Sequence, residues 1–121
     1  MHKRHRLAHR GQFDRVRRSG HSWAGPLLVL VALANASPDT RFGFLVSKRV
    51  GKAVVRNRVR RLLREAARAR LPALPVGWDL ILIARTGAAQ ADLLSIVASL
   101  NSLLLRANLV VAPANTRAAE K

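Results

Sequence analysis

The 121-residue chain has no cysteine, and only six of its residues are acidic. Without thiols there can be no disulfide framework, no thiolate zinc site and no cysteine nucleophile. The carboxylates, Asp14, Asp39, Glu65, Asp79, Asp92 and Glu120, are isolated from one another, with no DxD, no ExxH and no pair at helical spacing. Metal-dependent nucleases need clustered carboxylates to hold Mg²⁺, so that chemistry is not expected from this chain. There is no phosphate-binding glycine loop and no GxSxG. His5 and His9 stand at i, i+4, but no carboxylate or further histidine accompanies them as a metal set. Three of the four histidines fall in the N-terminal arm and His21 in a turn, a poor arrangement for acid–base catalysis. No apolar run is long enough to cross a membrane, and the basic start MHKRHRLAHRGQFDRVRR lacks an apolar segment of signal-peptide length. A soluble, cytoplasmic protein built to bind is the expectation, with no catalytic residue of its own.

What is present is positive charge. Twenty-two Lys and Arg against six acids give a formal net charge of +16 and a pI near 12.0. Such values point to nucleic acid or an anionic membrane surface. The charge is uneven: residues 1–70 carry eighteen basic and three acidic residues, and 71–121 carry four and three. Eighteen of the basic residues are Arg, whose planar fork grips phosphate and stacks on bases. The length suits one domain, 1–121, with a basic arm at 1–10 and a disordered tail at 113–121.

The densest stretch is Lys48 to Arg70, with ten basic residues and Glu65 as its single acid. On a helical wheel with Arg56 at zero, Arg60, Arg64, Asn57, Arg68 and Arg61 fall between about 40° and 140°. Val55, Val59, Leu62, Leu63 and Ala66 fall between about 240° and 340°, and Arg58 lies near 200°, off both arcs. The stretch therefore reads as a rigid helix with a core face and an arginine face. Arg58 is open to two readings, a ligand contact or a brace for the fold.

Elsewhere, a short helix is expected over 12–18, with Gly20 as its stop. Strands are expected around Trp23, at 27–34, at 41–47 and at 78–84. NASPDT between the second and third reads as a turn, which suggests that these two form a hairpin. Alternation puts Phe42, Phe44 and Val46 on one face and Gly43, Leu45 and Ser47 on the other. LPALPVG is a loop, TGAAQA a linker, and a last helix begins near Ala91 or Asp92, with Leu93, Val97, Leu100 and Leu104 as its core stripe. The order α-β-β-β-α-β-α points to a two-layer α+β sandwich. By composition Phe13 is open to either role, core residue or stacking platform.

From Ser47 to Glu65 the chain reads SKRVGKAVVRNRVRRLLRE. This long pattern, supported by Arg6-Leu7, Phe13, Val16, Gly20 and the ILIAR end of the last strand, resembles the protein subunit of bacterial ribonuclease P over residues 4–107. The resemblance implies a fold similar to a domain of ribosomal protein S5, with a left-handed β-α-β crossover. The implied partners are a catalytic RNA, which removes the 5′ leader of precursor tRNA, and that precursor. The implied Mg²⁺ is bound mainly by the RNA, and no organic cofactor, membrane contact or protein oligomer is implied.

By position, the resemblance assigns Lys48, Lys52, Arg56, Asn57, Arg58, Arg60, Arg61 and Arg64 to binding of the catalytic RNA. It assigns Phe13, Arg17, Val31, Leu45, Arg49 and Ala84 to a cleft for the single-stranded leader. Relatives often carry aromatics where this chain has Arg17 and Val31, so stacking is reduced here, and a guanidinium takes one of the places. The competing reading is a ribosomal or RNA-assembly protein without a processing role. A membrane-surface helix fits poorly, because Trp and Phe do not fall on the charged helix.

Overall fold

The computed structural model describes residues 1–110, so the expected tail at 113–121 lies outside the described residues. In chain order the elements are α1 (Arg10–Ser19), β1 (His21–Ala24), β2 (Leu28–Ala34), β3 (Arg41–Leu45), α2 (Ala53–Arg70), β4 (Trp78–Ala84) and α3 (Leu93–Arg106). This is the α-β-β-β-α-β-α order expected from the sequence. Short 3-10 turns occur at Lys3–His5, Leu71–Ala73 and Thr86–Gln90.

The four strands form one sheet in the order β1-β2-β4-β3. The expected hairpin between β2 and β3 does not form, because β4 lies between them, antiparallel to β2 and parallel to β3. The WDLILIA strand is apolar on both sides and suits the centre of the sheet, whereas β3 is shorter and carries Gly43. The hairpin in this fold is β1 with β2, closed where the Gly25 N–H donates to the Leu28 carbonyl at 2.8 Å.

The period of two along each strand separates the faces. Leu28, Leu30, Ala32, Phe42, Leu80, Leu82 and Ala84 pack with Val59, Leu63, Ala66 and Ala67 of α2 and with Ile96, Leu100, Leu103 and Leu104 of α3. Each fully buried Leu, Ile or Val contributes about 1.5–3 kcal/mol, so this face holds most of the stability. Phe42, Phe44 and Val46 share it as expected, with the two Phe rings stacked 6.1 Å apart. Of the expected α3 stripe, Leu100 and Leu104 are buried, while Leu93 and Val97 are half-buried beside α2. Ile96 and Leu103 complete the core. Asp92 caps α3 by accepting from the Ser95 N–H at 2.8 Å.

On the opposite face, α1 adds a partial layer. Val16 and Leu7 pack on Val31 and Ile81, with Phe13, Val29, Leu33, Leu45 and Ile83 half-buried around them. Gly20 ends α1 in extended backbone, so its role is space: a Cβ there would lie 2.6 Å from the Val16 carbonyl and 2.8 Å from the Ala32 carbonyl. The arm docks on the edge of β3, where the Leu7 N–H donates to the Phe42 carbonyl at 2.8 Å. His5 Nδ1 donates to the Thr40 carbonyl at 2.9 Å. His5 lies in the first 3-10 turn and His9 is the N-cap of α1, so the two do not share a helix.

One carboxylate is buried and is met by partners that reach it from the surface. Asp79 is fully enclosed and accepts from Arg41 Nε at 2.8 Å, Arg41 Nη2 at 2.9 Å, Asn35 Nδ2 at 2.7 Å and Arg15 Nη2 at 3.2 Å. The bonds from Asp79 raise the Arg41 pKa further, fixing its charge. This network ties α1, β3 and β4 together.

Candidate nucleic-acid interface

The first surface is the outer side of α2. Its apolar stripe is pinned in the core, so the opposite face is held rigid. Arg61 and Arg64 are exposed, and neither has a side-chain hydrogen bond or ion pair among the described residues. Arg60 donates to Asn57 Oδ1 at 3.1 Å, which orients the pair outward. Arg56 Nε donates to the Gly51 carbonyl at 3.1 Å and fixes the connector. Lys48, Arg49 and Lys52 project from that connector, all exposed. Lys52 is the N-cap of α2 and supplies no side-chain acceptor, and the first turn has no acid. The free N–H groups and the helix dipole add to the field of the basic side chains and favour a phosphate there.

Arg58 is resolved differently. Its guanidinium donates to the carbonyls of Ala91, at 3.2 Å, and Ala89, bracing α2 against the turn before α3. Of the two readings of its off-arc position, the hydrogen bonds favour the brace.

The second surface is the part of the sheet that α1 leaves open. Across β2, β4 and β3 the residues stand in rows: Leu33, Asp79 and Arg41; Val31, Ile81 and Gly43; Val29, Ile83 and Leu45. The first two rows lie under α1, through the Arg15–Asp79 pair and through Phe13, whose ring sits on Gly43. A methyl group at Gly43 would lie 2.4 Å from Phe13 Cε1. The third row is half-buried, and its Leu45 forms the base of a cleft whose wall is Arg10, Phe13, Asp14 and Arg17, a space of about 480 Å³.

The structure brings Phe13, Arg17 and Leu45 together around this cleft. Val31 is on the same face but buried beneath α1. Ala84 is not in the cleft: it pairs with Leu28 and belongs to the core on the other face, because strand alternation turns it away. Its neighbour Ile83 lies on the α1 side, in the row of Leu45. Arg10 and Asp14, which line the cleft, were not anticipated, and the parity of β4 follows only once Asp79 is placed on the α1 side. Among the described residues no group of three His, Asp or Glu is gathered for a metal, and no helix is long and apolar enough to cross a membrane.

Both surfaces occur in a chain that matches known proteins along nearly its whole length. The profile of the Ribonuclease P family matches residues 1–108. This chain belongs to the ribonuclease P protein family. The ribonuclease P protein component of Roseiflexus castenholzii is 43% identical over 111 residues, 91% of each chain. That of Dehalococcoides mccartyi is 38% identical over 121 residues, 100% of this chain and 98% of the relative. A structure of the Staphylococcus aureus RNase P protein, a mutant with defective mRNA degradation activity, superposes with a TM-score of 0.82 at 32% identity, covering 88% of this chain and 91% of that one. The RNase P protein from Thermotoga maritima gives 0.76 at 28% identity, covering 84% and 96%. Membership gives the chain the role of a protein subunit in a ribonucleoprotein endoribonuclease of tRNA processing, in partnership with the ribonuclease P RNA.

Proposed function

We propose that the two surfaces divide the work: α2 and its connector dock on the catalytic RNA, and the α1–sheet cleft holds the 5′ leader of precursor tRNA. The observation that carries this reading is the rigid arginine face, with Arg61 and Arg64 exposed and lacking partners among the described residues. Lys48, Lys52, Arg56, Asn57 and Arg60 extend it, and charge-assisted bonds to phosphate would hold the RNA. Phe13, Arg17 and Leu45, with Arg49 near the border, make a half-apolar, half-cationic groove suited to an unstacked strand.

The acids of this chain do not fit a Mg²⁺ site. Asp79 is enclosed by its basic partners, and Asp14, Asp39 and Glu65 stand on separate elements. The hydrolytic metal is accordingly assigned to the RNA, and the setting to the cytoplasm, where the precursor is processed. Reconstitution tests the reading: the protein alone leaves precursor tRNA intact, and with its RNA it restores cleavage at limiting Mg²⁺. Cleavage by the protein without RNA would refute it.

A further inference from the structure

We propose that Asp14 reads the identity of one leader base, favouring bases that carry an amino group over uracil. This rests on the leader occupying the cleft. Asp14 is the one acid on the cleft wall, one turn from Arg10 and three residues before Arg17. A carboxylate so placed is ordinarily neutralised by its neighbours, yet Asp14 forms no ion pair among the described residues. Its oxygens are left for another donor.

The surroundings specify what that donor should be. Leu45 at the floor and the Phe13 ring offer apolar surface to a flat ring, and Arg10 and Arg17 offer cations to the flanking phosphates. A base lying on that floor presents its edge to the α1 wall. An ionised carboxylate only accepts hydrogen bonds. Guanine can give it adjacent N1–H and N2–H donors, and cytosine and adenine each give an amino group. Uracil offers a single N3–H between two carbonyl oxygens, which the carboxylate repels. The carboxylate also sets a limit on affinity, because it weakens the field that draws phosphate into the cleft. That opposition is characteristic of a group that selects rather than one that merely binds.

The test uses the reconstituted holoenzyme and precursor tRNAs in which each leader position is varied through the four bases. Dissociation constants are measured for wild type, Asp14→Asn and Asp14→Ala, with mature tRNA as the reference. At one leader position the wild type should bind G, A or C about fivefold to tenfold more tightly than U, the lower part of the range for a good base contact because the site is open to water. Asp14→Ala should abolish that preference. Asp14→Asn should raise U relative to the others, since its amide can donate to the uracil O4. Other leader positions and mature tRNA should keep their relative affinities. If both variants strengthen all leaders alike, Asp14 acts only through its charge and the proposal is overturned. If wild type and Phe13→Ala bind precursor and mature tRNA with the same ratio, the cleft does not hold the leader and the underlying reading fails as well.

Discussion

Gly43 shows how a single residue can shape the proposed leader cleft. Phe13 rests where a β-carbon would otherwise stand, so the ring's height above the sheet is set by the absence of a side chain. Gly43→Ala should push the ring outward, cost about 1–3 kcal/mol of stability through overpacking, and weaken precursor tRNA more than mature tRNA. Denaturant unfolding and paired dissociation constants would show it. Equal weakening of both tRNAs would mean that Phe13 is only a packing residue. The arginines of α2 separate in a similar way. Arg61→Ala should lower the salt dependence of RNA-subunit binding by about one unit in the log–log slope and leave stability nearly unchanged. Arg58→Ala should do the reverse, because its guanidinium serves the carbonyls of Ala89 and Ala91. The helical wheel already set Arg58 apart from the exposed arc, but the carbonyls that hold it come from residues about thirty positions away, beyond any local pattern. Ala84 misled for a simpler reason: in a strand apolar on both sides, alternation gives no clue to parity, and a shift of one residue reverses the face.

At the scale of elements, local signals located the helices and strands well and their pairing poorly. Asp92, Gly20 and Pro72 mark ends by local chemistry, whereas the insertion of β4 between β2 and β3 depends on contacts across half the chain. The Asp79 network was likewise hidden, since its four members are scattered from Arg15 to Asp79. Asp79→Ala would leave Arg41 without its carboxylate and Asn35 with only the Asp39 carbonyl, and the loss should be about 3–5 kcal/mol, large against a typical total of about 5–15. Chemical denaturation measures it. Replacing Asp79 by Leu together with Arg41→Met should recover part of the loss, since paired burial of charge is itself costly. The α3 cap carries a pH signature. The bond from the Ser95 backbone lowers the Asp92 pKa below its ordinary 3.8. Its stabilising effect is therefore complete above that value and lost as pH falls through the lower folded value. The melting temperature of wild type should exceed that of Asp92→Ala at neutral pH, and the gap should close in strong acid.

For the whole molecule, β3 is the shared partition. Its Phe42 face packs in the core beneath α2 and α3, and its Gly43 and Leu45 face turns to the α1 side, so the two proposed RNA surfaces lie on opposite sides of one sheet. A single face of the protein would couple the catalytic RNA and the leader through shared side chains, but here a layer of backbone separates them. Distant sites without common partners add within about 0.3–0.5 kcal/mol. Arg61→Ala should accordingly weaken assembly with the catalytic RNA, and Phe13→Ala the holoenzyme's affinity for precursor tRNA, each by the same amount whether or not the other substitution is present. With mature tRNA the Phe13 effect should vanish, because only the precursor has a leader to lose. Titrating the RNA subunit against all four proteins, and both tRNAs against the assembled holoenzymes, at fixed salt supplies the cycle. A coupling energy well above about 0.5 kcal/mol would mean that one stretch of RNA bridges both surfaces around the edge of β3. The exposed Arg49, on the connector just beyond that edge, would then be the first residue to substitute.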